Sequence, residues 1–251
     1  MSQLRKLKLW FEGSRPKTIP AAVVPVIVGT ASVETDLAVY RILLALVVSI
    51  ALQVGVNYAN DYSDGIRGTD QDRVGPRRLV GSGLINAKQV KFAAGVSFLV
   101  AAVAGFLLAT MTSLFLILIG CLAILAAWFY TGGSKPYGYS GYGEISVFVF
   151  FGLVATVGSS YVQSETIETI SVLSSVPVGL LASALLVVNN YRDIETDSET
   201  GKQTFAVRLG KAKTQMFFAL LLLGSLGMYV LIAMLYTYLA LITLIVIPLS
   251  L

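Results

Sequence analysis

Three observations predict an all-α fold, a bundle of transmembrane helices. Hydrophobic residues make up 56% of the 251-residue chain and charged residues only 13%, whereas soluble domains are about a quarter charged. The apolar residues gather in long runs that approach the roughly 20 residues a membrane helix requires. Basic residues collect on alternate connections between those runs, the pattern of loops sorted across a bilayer.

The N-terminal segment MSQLRKLKLW is basic and lacks the apolar stretch and small-residue cleavage site of a secretory signal. The first run follows at 19–33, and further runs occupy 42–59, 90–111, 114–130, 145–162, 172–188 and 216–235. An eighth starts near Leu239 and reaches the end of the chain at Leu251, too short to cross a bilayer. The expectation is one domain, 1–251, lacking part of a natural C-terminus. Small residues recur in the runs (Ala93, Ala94, Ala101, Ala102, Gly105, Gly152 and Gly158), as close helix packing in lipid requires.

Of the 18 Lys and Arg residues, all but Arg41 lie before the first run or in the second-to-third, fourth-to-fifth and sixth-to-seventh connections. That side, with the N-terminus, is expected to face the cytoplasm. The net charge of +4 therefore reports topology and not affinity for nucleic acid. Cys121 is the single cysteine and reads as inert packing. The chain has no histidine, which excludes His-based acid–base catalysis, Ser–His nucleophiles and His-ligated zinc or haem.

Two acidic clusters carry the chemistry. The first is Gln53, Asn57, Asn60, Asp61 and Asp64, which share an arc of about 100° at the end of an apolar helix. Polar groups at membrane depth are costly and mark function. Gly65 and Gly68 are expected to break the helix there, leaving Asp70 and Asp72 on a loop beside Arg73, Arg77 and Arg78. The second cluster, Asn189, Asn190, Asp193 and Asp197, forms a similar stripe, followed by a glycine-containing basic loop with Lys202. Glu195 and Glu199 lie off that stripe and read as solvated. The repeated plan suggests two facing halves of one site. Carboxylates and amides without His or Cys are hard oxygen donors suited to Mg²⁺, which binds through a few carboxylates plus substrate phosphates. Arg73, Arg77, Arg78 and Lys202 are placed to take the remaining phosphate oxygens. The connection from Tyr130 to Ile145 is rich in glycine and tyrosine. It reads as a lid on which Tyr137, Tyr139 or Tyr142 stacks against substrate, or as an interfacial aromatic belt.

The stretches N-D-Y-S-D at 60–64 and D-I-E-T-D with G-K-Q-T at 193–204 resemble the paired motifs of the UbiA superfamily of intramembrane prenyltransferases. The form running from Asn60 to Pro76 is most similar to the 1,4-dihydroxy-2-naphthoate branch of menaquinone biosynthesis. So are Arg15-Pro16-Lys17-Thr18, Tyr130-Thr131-Gly132-Gly133 and Asn189-Asn190-x-Arg192-Asp193. Many superfamily members carry an aspartate at the position held here by Gly68, so Asp70 or Asp72 must supply the third carboxylate. Relatives typically have nine membrane helices, against seven complete and one partial run here.

The resemblance implies a bacterial cell-membrane enzyme. Mg²⁺ held by Asp61, Asp64, Asp193, Asp197 and Asn60 would grip a polyprenyl diphosphate. Substrate contacts would come from Asn57, Tyr130, Tyr139, Asn189, Asn190, Arg192 and Gln53. The naphthoate ring would take the prenyl group with loss of CO₂, giving demethylmenaquinone. Arg15 or Lys135 is expected to meet the ring carboxylate. The general base is either Asp72 or no protein group at all. Competing readings are another acceptor (4-hydroxybenzoate or a lipid alcohol) or a secondary transporter. The transporter reading predicts charges near mid-membrane, whereas these aspartates lie at helix ends.

Overall fold

The structure, a computed structural model, describes residues 3–34, 36–69 and 78–246. Among these there is no strand. Helix α1 (Gln3–Gly13) leads through a 3₁₀ turn at Pro16–Thr18 into α2 (Ile19–Ala31). Then follow α3 (Val39–Arg67), α4 (Ala87–Met111) and α5 (Phe115–Phe129). A second 3₁₀ turn, Tyr137–Ser140, precedes α6 (Gly143–Ser164). The chain continues as α7 (Thr169–Arg192), the short α8 (Ile194–Glu199) and α9 (Phe205–Leu235), with a last helical stretch at Tyr238–Val246.

Each of the seven expected runs is a helix. Five of them, α3, α4, α6, α7 and α9, are long and apolar enough to cross a membrane. α2 and α5 have 13 and 15 residues, about 20–22 Å of helix, and fall short of a 30 Å hydrocarbon core. The connection expected over 189–213 is also mostly helical, since α7 runs to Arg192 and α8 follows at once.

Gly65 does not break α3. The helix continues through it and ends at Gly68, whose φ of 74° lies in the left-handed region glycine tolerates. Gly65 instead makes room for a neighbour, because a Cβ there would lie 2.4 Å from Val80 Cγ1.

α3 packs on α4, α7 on α9, and α2 on α6. In lipid such contacts depend on close van der Waals approach, which small residues permit. A Cβ on Gly29 would meet the Thr156 carbonyl oxygen at 2.0 Å, and one on Gly152 would meet Gly179 Cα at 2.6 Å. Gly152 lies in a π-helical segment, Phe148–Val154, inside α6. A wider π turn re-aims side chains within a helix and recurs at functional sites.

Candidate active site

The stripe on α3 is buried throughout, at Gln53, Asn57, Asn60, Asp61 and Asp64. Its amides fasten the chain that precedes α2. Gln53 Nε2 and Asn57 Nδ2 donate to Thr18 Oγ1 at 2.9 and 3.0 Å, and Asn57 Nδ2 also donates to the Ser14 carbonyl at 2.9 Å. Between these anchors Arg15 sits at φ 54°, ψ 68°. A left-handed non-glycine residue costs about 1–3 kcal/mol and persists only where its surroundings enforce it. Here Thr18 enforces it by donating to the Arg15 carbonyl from both its N–H and its hydroxyl, each at 2.9 Å. The Arg15 side chain lines the central cavity, and its Nη2 is buried without a hydrogen-bond partner.

Asp64 is the meeting point of the two clusters. The Tyr139 hydroxyl donates to its Oδ1. Lys202 Nζ lies 3.3 Å from Oδ2, and Arg78 Nη2 lies 3.9 Å from the same atom. The Lys202 ammonium is also 3.7 Å from Asp197 Oδ1, so one cation spans carboxylates from the two halves of the chain. Backbone bonds hold this arrangement: Lys202 N–H donates to the Asp197 carbonyl at 2.8 Å, and Gln203 N–H to the Tyr139 carbonyl at 2.9 Å. The Tyr139 ring carries Lys202 Nζ at 4.8 Å and the Arg67 guanidinium at 5.3 Å from its centroid, both cation–π distances. Burial first, and the Asp64 charge second, push the Tyr139 phenol well above its ordinary value, so it remains a donor at any physiological pH.

Several expected ligands have other work in this structure. Asp61 is fully buried, and its two oxygens accept the backbone N–H groups of Leu79 and Val80 at 2.8 and 2.9 Å. It thereby fastens the returning end of the loop. Asp193 takes a two-pronged bond from Arg192 Nε and Nη2 at 2.8 and 2.9 Å. Asn60 Oδ1 accepts from Thr131 Oγ1 at 2.8 Å. Asn190 Nδ2 donates to Glu144 Oε1 at 2.9 Å and ties α7 to α6, while Asn189 Nδ2 returns to the Leu185 carbonyl at 3.1 Å. Lys135 is exposed and does not line the cavity. Tyr142 is exposed, and exposed Glu195 pairs with Lys211 at 2.7 Å. Glu199 is exposed as well. Asp70, Asp72, Arg73 and Arg77 lie outside the described residues.

Two positioning residues had no signal of their own in the sequence. Arg67 donates to the Thr131 and Gly133 carbonyls and pins the tyrosine-rich connection to α3. Thr18 accepts both amides of the α3 stripe. The R-P-K-T string marked the segment but not this hydroxyl.

One helical turn along α3 from Asp64, at Asn60, the wall of a cavity of about 310 Å³ begins. Arg15, Thr18, Gln53, Asn57, Asn60, Tyr130, Tyr137 and Asn189 line its polar end. Tyr137 is held there by its hydroxyl, which donates to the Ala126 carbonyl at 2.8 Å and lies 2.9 Å from Ser146 Oγ. The rest of the wall is apolar, with Leu52, Val48, Leu116, Phe150, Phe151 and Val154 among its residues. The π segment supplies both phenylalanines.

The donor set fits Mg²⁺. Asp64 and Asp197 offer hard oxygens, and the Lys202 ammonium already sits in the cation-sized space between them. Among the described residues no three acidic side chains form a ready cage. Mg²⁺ keeps its water and binds through one or two carboxylates together with substrate phosphates.

A family model described as the UbiA prenyltransferase family matches residues 22–251. A relative from Mycobacterium tuberculosis named 1,4-dihydroxy-2-naphthoate octaprenyltransferase is 49% identical, covering 96% of this chain and 83% of its own. One of the same name from Escherichia coli is 40% identical over 89% of this chain and 76% of its own. The structure of a UbiA homolog from Archaeoglobus fulgidus bound to GPP and Mg²⁺ shares the fold, with a TM-score of 0.71 at 13% identity over 95% of this chain and 87% of that one. With its all-helical bundle and the match over most of its length, this chain belongs to the UbiA prenyltransferase family.

Proposed function

We propose that the chain transfers a polyprenyl group from a polyprenyl diphosphate to 1,4-dihydroxy-2-naphthoate in a bacterial cell membrane, with loss of CO₂ to give demethylmenaquinone. The observation that carries this is the convergence of Asp64 and Asp197 on Lys202, one helical turn along α3 from Asn60 on the wall of an apolar cavity. The naphthoate acceptor is supported by the 40–49% identical relatives of that name. The site side, which holds nearly all the Lys and Arg residues, faces the cytoplasm in this reading.

Asp64 and Asp197 would hold Mg²⁺, which when bound would supply the charge neutralisation that makes diphosphate a competent leaving group. Lys202 and Arg78, both buried, add fixed positive charge where the departing diphosphate gathers negative charge, worth most in a dry site. Tyr139 holds Asp64 in orientation through its hydroxyl. Tyr130, Tyr137, Phe150 and Phe151 line the cavity with aromatic rings and exclude water from an allylic cation. The apolar wall takes the prenyl tail, each buried CH₂ contributing roughly 0.8 kcal/mol. Arg15, with a buried guanidinium nitrogen free of hydrogen bonds, receives the acceptor's carboxylate. Lys135, exposed and off the cavity, does not.

The test is incorporation of radiolabelled polyprenyl diphosphate into lipid by membranes containing the protein, with naphthoate or 4-hydroxybenzoate, with and without Mg²⁺. Labelling that requires both Mg²⁺ and the naphthoate is expected. Labelling with the benzoate alone would move the acceptor assignment. Absence of labelling with either acceptor would overturn the reaction.

A further inference from the structure

Helix α1 is amphipathic in a way the active site does not use. Leu9 and Gly13 are buried against the bundle, with Leu9 in one core cluster with Tyr58 and Leu79. The opposite stripe, Leu4, Leu7 and Phe11, is 81%, 66% and 66% exposed. At 100° per residue these three fall within an arc of about 60°. Such a stripe fits the apolar layer of a bilayer with α1 lying in the interface plane. At the same spacing Lys8 lies about 70° from the centre of the stripe, and Arg5 and Lys6 lie about 130° to either side, next to the buried face.

Between α1 and the start of α4 lies a separate groove of about 400 Å³, lined by Lys6, Trp10, Lys88, Gln89, Phe92 and Ala93. It carries two cations, one from each helix, and no acidic side chain. Its floor is apolar, and Phe92 is 74% exposed. Lys91, one residue from Phe92, leans over the Tyr62 and Trp128 rings at 5.5 and 5.8 Å from their centroids and adds positive charge beside the groove.

We propose that this groove is a binding site for an anionic membrane lipid. The phosphate headgroup lies between Lys6 and Lys88, and an acyl chain lies along Trp10, Phe92 and Ala93. Charge complementarity selects an anionic over a zwitterionic lipid, and the Leu4–Leu7–Phe11 stripe sets the depth at which headgroups meet the lysines. The same lipid steadies the front of the active site. α1 is bonded to α3 where the Tyr58 hydroxyl donates to the Trp10 carbonyl at 2.8 Å, and it leads directly into the turn at Ser14 and Arg15.

Trp10 and Trp128 are the two tryptophans of the chain, which makes the groove directly readable. The full chain carrying Trp128→Phe is reconstituted in vesicles containing brominated phosphatidylglycerol or brominated phosphatidylcholine, and quenching of Trp10 is measured. The anionic lipid is expected to be preferred by about thirtyfold, about fivefold for each lysine. Lys6→Gln and Lys88→Gln should each remove about fivefold and together abolish the preference, with the melting temperature unchanged because both side chains are exposed. Equal quenching by the two lipids, or a preference that survives the double substitution, would overturn the site. Displacement of the lipid by inorganic phosphate would also overturn it, by showing an anion site in place of a lipid site.

Discussion

Lys202 holds Asp64 and Asp197 at 3.3 and 3.7 Å and is itself buried. Removing its charge leaves two carboxylates of like sign facing a shared space and takes a donor from the diphosphate. Lys202→Met should lower turnover about a hundredfold with protein still folded, measured as initial rate at saturating donor. An unchanged rate would place diphosphate stabilisation elsewhere. Asp61 carries a different expectation, because its oxygens accept two backbone amides. In Asp61→Asn one of those N–H groups meets an amide NH₂, costing about 1–3 kcal/mol, read as a lower melting temperature in detergent. Arg15→Ala should raise the KM for the naphthoate by about ten- to a hundredfold, the weight of a hydrogen bond to a charged group, with donor KM unmoved. At this scale the sequence showed which residues are buried and acidic. It did not show which carboxylate meets which donor, because residues 79 and 80 return to Asp61 from a loop whose path no local pattern fixes. The pairing of Arg15 with Thr18 was hidden for a similar reason, since a left-handed arginine leaves no compositional trace.

Among the elements, α6 is the one whose shape the sequence concealed. Its apolar run was legible, but α and π turns share the same composition, so nothing in residues 148–154 marked the wider turn that lines the cavity with Phe150 and Phe151. The segment is held against α7 by the backbone contact of Gly152 with Gly179. Gly152→Val forces a branched side chain into that contact and should destabilise by about 1–3 kcal/mol, seen as a lower melting temperature. Gly95, where an added Cβ meets nothing within 4 Å, is the control, and Gly95→Ala should leave melting unchanged or slightly raised. Equal melting for both variants would remove the packing role of the glycine pair. Helix positions were otherwise legible because long apolar runs admit one solution in lipid, a helix with every backbone group bonded internally. The shortness of α2 and α5 was already visible in the runs at 19–33 and 114–130, and the turns that cap these helices trim them further, to 13 and 15 residues.

For the whole molecule, the proposed reaction has the apolar wall set how much of a prenyl tail fits. Gly120 lines the cavity and has open space at its Cβ position, so Gly120→Phe is expected to shorten the chamber. Turnover with an octaprenyl donor should then fall more than with a geranyl donor, measured as the ratio of kcat/KM values. An unchanged ratio would place the tail outside this cavity.

Arg41 stands at the end of the bundle opposite the acidic clusters. It donates to the Val162 carbonyl at 2.8 Å and the Met111 carbonyl at 3.2 Å and pairs with Glu165 at 3.1 Å. These bonds lash together α3, α4 and α6 one helical turn beyond Ala45, which lines the chamber. A living membrane stores energy as a proton gradient, and a tube wetted at both ends would drain it. The strap at Arg41 draws three helix ends together beside Ala45, Leu108 and Val162 of the chamber wall, and the expected consequence is a cup instead of a pipe. Proteoliposomes holding Arg41→Ala should dissipate an imposed pH gradient faster than those holding the unaltered protein, followed with a pH-sensitive dye sealed inside.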